Sequence, residues 1–571
     1  MAYILGINAF HADSSAALII DGNVVCATEE ERFTRVKHWA GLPIKSIEFC
    51  LSEYNLKITD ISSICIGREP GVKTFEKLKF LVSNPRAGLS LLGDRITNRS
   101  DIKSLKDQIN AHFGYCPNVS FVEHHKAHLA SAFYSSPYTE ATLISIDGSG
   151  DFTTVMIGKG ENNRIEILES QDFPVSVGLF YTAFTQFLGF PYYGDEYKVM
   201  GLSPYGTPRY LEAMRSIIWS GESNILEWDS KYFELSQGVV SYKSHVPNVS
   251  TLFKKREFEK LFGASRTKGD EITQRHKDIA SSLQKRTEEL IFEIIERAFN
   301  NTGIANLCLA GGVAQNSVAN GKILSKTSMQ NIYIPSAGHD AGISMGAAQY
   351  YYFDELKNQR ISPLYNANLG ISFSNSQIKE ILDRQGLKYR FLEDNELFPY
   401  IAKSIASNKV IGFFDGKAEF GPRALGSRSI LADPRNSKAQ QLLNEKIKKR
   451  ESFRPFAPSI LEEYGEEYFE NYQFTPFMER VLPIRKEKRK LIPAVTHVDG
   501  SGRLQSVSKK LRPRYYKLIQ EFFKETGVPI LINTSFNENE PVVNIPEEAL
   551  DCYLRTKMDI LVLGNYILEK E

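Results

Sequence analysis

At 571 residues the chain exceeds what one hydrophobic core usually holds, so at least two domains are expected. Its 69 basic residues nearly cancel its 68 acidic ones, and a net charge of +1 argues against the basic field that draws a protein onto nucleic acid. Six cysteines without a C-x-x-C pair argue against a disulfide framework or a cysteine zinc site and suit reduced thiols in a cytosolic protein.

Tyr3 to Asn8 reads as a first strand rather than a signal peptide, and no run nears the roughly 18 to 20 apolar residues that span a bilayer. A cytoplasmic protein with no membrane partner is expected. The polar loop His11-Ala-Asp-Ser-Ser15 leads to strands over 16–20 and 24–28, joined by the turn Asp21-Gly22-Asn23. The run Glu29-Glu-Glu-Arg-Phe-Thr-Arg-Val-Lys-His38 has the composition of a solvated face. Residues 73–108 and 211–267 break the strand, turn, helix rhythm. They read as insertions that shape an acceptor pocket or an oligomer contact, or that merely decorate the fold.

Phe121 to Phe133 reads as a helix carrying His124 and His128 one turn apart. A spacing of four puts both imidazoles on one face, where they can share a metal ion or sit as satisfied core histidines. The strand Ala141 to Ile146 then runs into Asp147-Gly-Ser-Gly-Asp151. A carboxylate at a strand end followed by glycines lets backbone approach a phosphate or metal without a side-chain clash. Strands at 307–310 and 332–336 open in the same way into Gly311-Gly312-Val-Ala-Gln-Asn316 and into the glycine-rich stretch holding Asp340. Helix starts of this kind favour phosphate. Neither a Walker lysine loop nor a Gly-x-Gly-x-x-Gly turn accompanies them. No internal sequence repeat is seen. The first domain is expected to end near Phe353, with Asp354 to Arg360 as a linker and a second unit from about Asn368.

In that second unit Arg423, Arg428 and Arg435 lie among glycines and prolines, followed by Lys446, Lys448, Lys449, Arg450 and Arg454. Guanidinium forks suit bidentate phosphate binding. Lys446 and Lys449 read as solvent-facing, whereas Arg454, inside the apolar run from Phe453 to Pro458, needs a fixed partner. A local arginine cluster on a chain of balanced charge points to a small anion rather than a nucleic-acid surface.

His11 to Ala17, the 29–38 run, His124-His-Lys-Ala-His128, Lys198-Val-Met-Gly-Leu202 and Ala310 to Asn316 resemble the N-terminal signatures of the NodU/CmcH-type O-carbamoyltransferase family. Glu419 to Arg435, Arg450 to Pro458, His497-Val-Asp-Gly500 and Asn533-Thr-Ser-Phe-Asn537 are similar to its C-terminal half. The resemblance covers nearly the whole chain. It departs in one place, where many relatives read His-Asp-Ser or His-Asp-Ala and this chain has His11-Ala12-Asp13-Ser14.

The resemblance implies an α/β fold: an N-terminal duplicated ribonuclease-H-like domain of the actin type (ASKHA) over 1–355, then a YrdC-like α/β domain over 368–571. It implies a divalent metal, Fe(II) or similar, held by His124, His128 and Asp340, with Asp147 as a further ligand or a partner to one. His11 and Lys37 fall near the transferred carbamoyl, His11 to accept a hydroxyl proton and Lys37 to bind an oxyanion. Asp147, Gly148, Gly311, Gly312 and Asn316 are expected at nucleotide in the first domain. Arg423, Lys448, Arg454 and Arg503 are expected to hold carbamoyl phosphate and ATP (with Mg) in the second, with Asn533 and Ser535 as neighbours.

The implied reaction forms carbamoyl adenylate in the second domain and transfers the carbamoyl to a hydroxyl of a small metabolite in the first. Natural-product or sugar acceptors are expected, no nucleic acid, and an assembly compatible with a homodimer. Two alternatives stay open, a tRNA threonylcarbamoylation enzyme and an actin-fold small-molecule kinase that would release ADP.

Overall fold

Buried apolar side chains run through β1 (Tyr3–Asn8), β2 (Ser15–Ile20) and β3 (Asn23–Glu29), which pair as an antiparallel meander in the computed structural model. The structure describes residues 1–83, 104–236, 239–361 and 363–570, and the chain divides into two units, 1–364 and 365–571. In the first unit β4 (Ser63–Ile66) joins β1 in parallel and β5 (Asn118–Phe121) joins β4, giving the order β3-β2-β1-β4-β5.

The same topology then recurs. β6 (Glu140–Gly150), β7 (Thr153–Glu161) and β8 (Arg164–Asp172) form a second meander. The chain next inserts two hairpins, β9 (Ile218–Ser220) with β10 (Leu226–Trp228) and β11 (Val240–Lys243) with β12 (Val246–Val249), and the helix Gln274–Thr302. β13 (Asn306–Ala310) then pairs in parallel with β6, and β14 (Asn331–Tyr333) with β13. Counted from its meander, the second sheet has the strand order and directions of the first. Two such sheets in one unit are the duplicated ribonuclease-H-like architecture of the actin type, present here without a sequence repeat.

Close approach between elements is bought with glycine. A Cβ on Gly346 would lie 1.9 Å from the Ala127 carbonyl oxygen, so the helices Ile343–Gln349 and His124–Phe133 can touch only with glycine there.

Two expectations need correction. The 29–38 run is not a solvated face: Glu29, Glu30 and Arg32 are buried, and Glu30 accepts from the amides of Lys45 and Ser46 and from Ser46 Oγ, closing the start of the helix Ile44–Glu53. Residues 354–360 are not a free linker. Asp354 is buried and accepts from Tyr134 Oη and the Ile165 amide, while Arg360 donates to the carbonyls of Phe133, Ser136 and Tyr138. The stretch 211–267 holds the two hairpins and the helix Lys255–Phe262. Part of 73–108 lies outside the described residues. No described helix is long and apolar enough to cross a membrane.

The second unit is built on one mixed sheet of nine strands. These are β15 (Arg390–Phe391), β16 (Ile411–Phe414), β17 (Arg428–Ala432), β18 (Ala457–Leu461), β19 (Arg480–Pro483), β20 (Ser501–Val507), β21 (Ile530–Ser535), β22 (Ile560–Leu563) and β23 (Tyr566–Glu569). They lie in the order β15-β23-β22-β16-β17-β21-β18-β20-β19. The helices Asp394–Ala406 and Pro513–Thr526 bury Leu397, Ile401, Leu518 and Phe522 in one core with the sheet's apolar face.

Candidate active site and metal centre

The helix carrying the histidine pair starts at the end of β5, where the Asp151 carboxylate accepts from the amides of His124 (2.9 Å) and Glu69 (2.7 Å). An acceptor at a helix N-terminus satisfies an otherwise orphaned donor and suits the dipole. The four-residue spacing brings the Nε2 atoms of His124 and His128 to 3.1 Å. Asp147 Oδ2, from β6, lies 3.3 and 3.2 Å from them. Asp340 Oδ1, just after β14, lies 3.5 and 3.4 Å from the same two nitrogens.

These separations are what ligands on one ion show. Bonds of about 2.1 Å at angles of 90 to 110° put neighbouring donor atoms roughly 3.0 to 3.4 Å apart. The donor set, two imidazoles and two carboxylates, fits a borderline divalent ion such as iron, zinc or manganese. Among the described residues Asp340 Oδ1 is buried with no hydrogen-bond partner, a costly state that a cation would relieve. Gly150 makes room for the set: a Cβ there would sit 2.1 Å from His124 Cδ2.

The charges are tightly coupled. Burial would push the His128 imidazole down, yet Asp147 and Asp340 raise it to about 9. Burial and the Asp340 charge raise the Asp147 carboxyl, but His124 and His128 outweigh them and hold it below the usual carboxylate range. Asp340 is held down likewise, against burial, by His11, His128 and His124.

The third histidine of the segment does different work. His125 is fully buried, with Nδ1 at 2.9 Å from Ser145 Oγ and Nε2 at 2.9 Å from the Thr153 carbonyl, a satisfied core histidine that burial keeps neutral. His11 is brought to the cluster, its Nδ1 2.7 Å from Asp340 Oδ2 and its ring 5.5 Å from that of His124. Asp340 thus presents one oxygen to the histidine pair and the other to His11. Lys37 is exposed. The residue after it was missed from sequence: His38 Nδ1 lies 2.7 Å from Asp13 Oδ1, and only the shared presence of both residues in the quoted motifs hinted at it.

The glycine turns are placed more unevenly. Gly148 donates its amide to Asp147 Oδ1, and a Cβ on Gly312 would come 2.8 Å from that same oxygen, so both line the carboxylate. Gly311 takes φ +92°. Asn316 is spent on structure, accepting from the Ala319 amide and exchanging hydrogen bonds with Gln284.

In the second unit the sheet register builds a polar row. Gln505 on β20 sits beside Ser459 on β18, and Ala457 beside Asn533 on β21. Ser459 Oγ donates to Gln505 Oε1, and Asn533 Nδ2 donates to Gln505 Oε1 and to the Ala424 carbonyl. Arg503 lies two residues before Gln505, on the same face. Burial and then the Arg423 cation push its guanidinium down, opposed by Glu479. Two neighbouring half-buried guanidiniums repel one another, a cost that an anion between them would relieve. Asn533 Oδ1 is buried there and has no hydrogen-bond partner among the described residues.

Three other basic residues, Arg428, Arg435 and Lys448, are committed to protein. Arg428 and Arg435 do not form phosphate forks: Arg428 is fully buried, donates to the carbonyls of Asp415, Gly416 and Ile371 and stacks on Phe414, while Arg435 pairs with Asp433. Lys448 points its Nζ at Ser535 Oγ (3.1 Å), the Asn537 carbonyl (2.8 Å) and two further oxygens of that loop, more acceptors than its three protons can serve. Burial pushes its ammonium well down. Arg454 has Glu451 at 3.3 Å.

Comparison with known proteins places the chain in a family. The carbamoyltransferase N-terminus model matches residues 3–349 and the carbamoyltransferase C-terminus model residues 402–570. An uncharacterized protein of Synechocystis sp. is 39% identical over all of this chain and 97% of its own length. The nodulation protein NolNO of Sinorhizobium fredii is 36% identical over 99% of this chain and 80% of its own. Among solved structures, component A of the (R)-2-hydroxyglutaryl-CoA dehydratase of Acidaminococcus fermentans aligns with 63% of this chain and 100% of its own at 14% identity and a TM-score of 0.35, too remote to add to the topology. The chain belongs to the carbamoyltransferase family.

Proposed function

We propose that this carbamoyltransferase uses ATP and carbamoyl phosphate to carbamoylate a hydroxyl of a small molecule in two steps at two sites. The second unit, YrdC-like by resemblance, converts carbamoyl phosphate, ATP (with Mg) and water into carbamoyl adenylate, phosphate and pyrophosphate. Arg423, Arg454 and Arg503 hold the anions there, and Asn533 offers its unpaired Oδ1 to an N–H of the substrate. Such a mixed anhydride hydrolyses readily, so passing it between two sites of one chain protects it.

In the first unit the acceptor hydroxyl oxygen bonds to the carbamoyl carbon. The bond from that carbon to the adenylate oxygen breaks, its electron pair leaves with AMP, and the hydroxyl proton passes to Nε2 of His11. His11 suits this because Nδ1 faces Asp340, which orients the ring and leaves the lone pair on Nε2. A divalent ion held by His124, His128, Asp147 and Asp340, Fe(II) by the resemblance, would supply Lewis-acid polarisation of the carbamoyl carbonyl or of the phosphate.

The observation that carries the reading is the convergence of four ligand atoms beside His11 in a chain of this family. The near-neutral charge favours a small acceptor over tRNA. Purified protein given carbamoyl phosphate and ATP should release pyrophosphate and AMP in a carbamoyl-phosphate-dependent manner. Release of ADP alone would replace this reading with that of a kinase.

A further inference from the structure

The 29–38 run carries a pair of residues that the reaction above does not use. His38 and Asp13 stand 25 positions apart, yet Nδ1 of one is 2.7 Å from Oδ1 of the other. That distance is a hydrogen bond, shorter than the 3.1 to 3.5 Å between donor atoms of the metal set, so the pair is read as an Asp–His dyad rather than a second cation site.

The dyad is built in. Phe10, Asp13 and His38 all take left-handed φ values (57, 58 and 55°), which non-glycine residues adopt only when their surroundings compel it. The two loops are stitched by the Ser14 amide to the Trp39 carbonyl and by Ser14 Oγ to the Gly41 carbonyl, while the His38 amide closes its own loop onto Glu31 Oε2. Nε2 of His38, by contrast, makes no hydrogen bond among the described residues, and the side chain is 32% exposed. It points past Gly194, where a Cβ would come within 2.7 Å of it, and its ring meets that of Tyr193 edge-on at 5.0 Å.

One loop links the dyad to the reacting centre. The loop from His11 to Asp13 joins the two: His11 Nδ1 lies 2.7 Å from Asp340 Oδ2 and Asp13 Oδ1 lies 2.7 Å from His38 Nδ1. The His11 ring packs 5.4 Å from that of Tyr242. Lys37, assigned an oxyanion role by resemblance, is exposed.

We infer that His38, positioned by Asp13, donates from Nε2–H to the carbamoyl carbonyl oxygen as negative charge develops on it, the role that the resemblance gives to Lys37. The inference rests on the two-step reading above. Charge balances simply: the oxygen gains charge as the acceptor oxygen bonds to carbon, returns it as the adenylate leaves, and His38 keeps its proton throughout. The electrostatics agree. Burial would lower the His38 imidazole, but Asp13 and Glu31 outweigh burial and Lys37 and raise it to about 9, so it is a cation at neutral pH. The charged and titratable groups facing it are Asp13, Glu31, Lys37, Tyr193 and Glu196, the last with its carboxyl raised by burial.

The test uses the full chain with ATP and carbamoyl phosphate, water serving as acceptor, with pyrophosphate and AMP release followed separately. His38→Gln should leave pyrophosphate release within twofold of wild type and slow AMP release about 100-fold, and His38→Lys should recover part of it. AMP release by the wild type should fall as pH rises through about 9. In Asp13→Asn that fall should move down toward about 6.5, the ordinary value for histidine, a shift that a purely structural Asp13 would not produce. Normal AMP release by His38→Gln, or an alkaline limb unmoved in Asp13→Asn, overturns the inference. Absence of carbamoyl-phosphate-dependent pyrophosphate release from the wild type would instead overturn the two-step reading.

Discussion

Replacing Gly150 with alanine tests the metal centre without touching a ligand. The new Cβ would lie 2.1 Å from His124 Cδ2, 2.2 Å from Cγ and 2.5 Å from Nε2. Carbon atoms pack no closer than about 3.5 Å, so the ring must retreat by about 1.4 Å (3.5 less 2.1). Metal–ligand bonds tolerate about 0.2 Å. His124 therefore leaves the set, and divalent metal affinity should fall about 100-fold or more, the upper range seen when ligand orientation is lost. Gly148→Ala is the matched control, since its Cβ meets only Leu179 Cδ2 at 4.0 Å, an ordinary contact. Metal titration of both stripped variants, alongside a thermal melt, reads the difference. Gly150→Ala protein that melts as wild type and binds metal as tightly would refute the assignment of His124.

The remaining predictions concern protons and arginines. Metal must displace the proton that His128 carries below about 9, so affinity should rise about tenfold per pH unit up to that value and then level, as read by metal titration from pH 6 to 10. Arg503→Gln should cut carbamoyl-phosphate-dependent pyrophosphate release at least about tenfold, the loss of a charge-assisted phosphate contact worth about 1.5 to 3 kcal/mol. Arg435→Gln, which loses the pairing with Asp433 and the contacts with the Ala406 carbonyl and the Phe522 ring, should leave that rate unchanged. Arg428→Met would take the donor away from the carbonyls of Asp415, Gly416 and Ile371 and lower stability by about 3 kcal/mol in denaturant unfolding of the second unit.

What could be read in the sequence was local. The four-residue spacing of His124 and His128 and the placing of Asp147 at a strand end are periodicities of helix and strand, and both survive in the structure. Asp340 joined the set only through resemblance, because nearly 200 residues separate it from Asp147 and no periodicity spans such a gap. The duplicated sheet left no trace as a repeat. Two copies of one topology need only matching apolar strands, not matching residues, and the hairpins and long helix before β13 separate the halves.

Arginines misled most. Composition cannot tell a buried guanidinium committed to backbone carbonyls, as in Arg428, from one held beside another cation, as in Arg503. The Asp13–His38 pair was hidden for a further reason. It depends on left-handed backbone at both residues, and neither is a glycine that would have signalled it.

The division of labour between the two units is the claim on which the rest depends. A variant with Arg423→Ala and Arg454→Ala, given preformed carbamoyl adenylate and an acceptor accepted by the wild type, measures it directly. The account predicts that this variant fails with carbamoyl phosphate and ATP yet forms product from the adenylate, while His128→Ala releases pyrophosphate and forms little product from either. An arginine variant that stays folded by circular dichroism but is not rescued by the adenylate would contradict it and require one shared site.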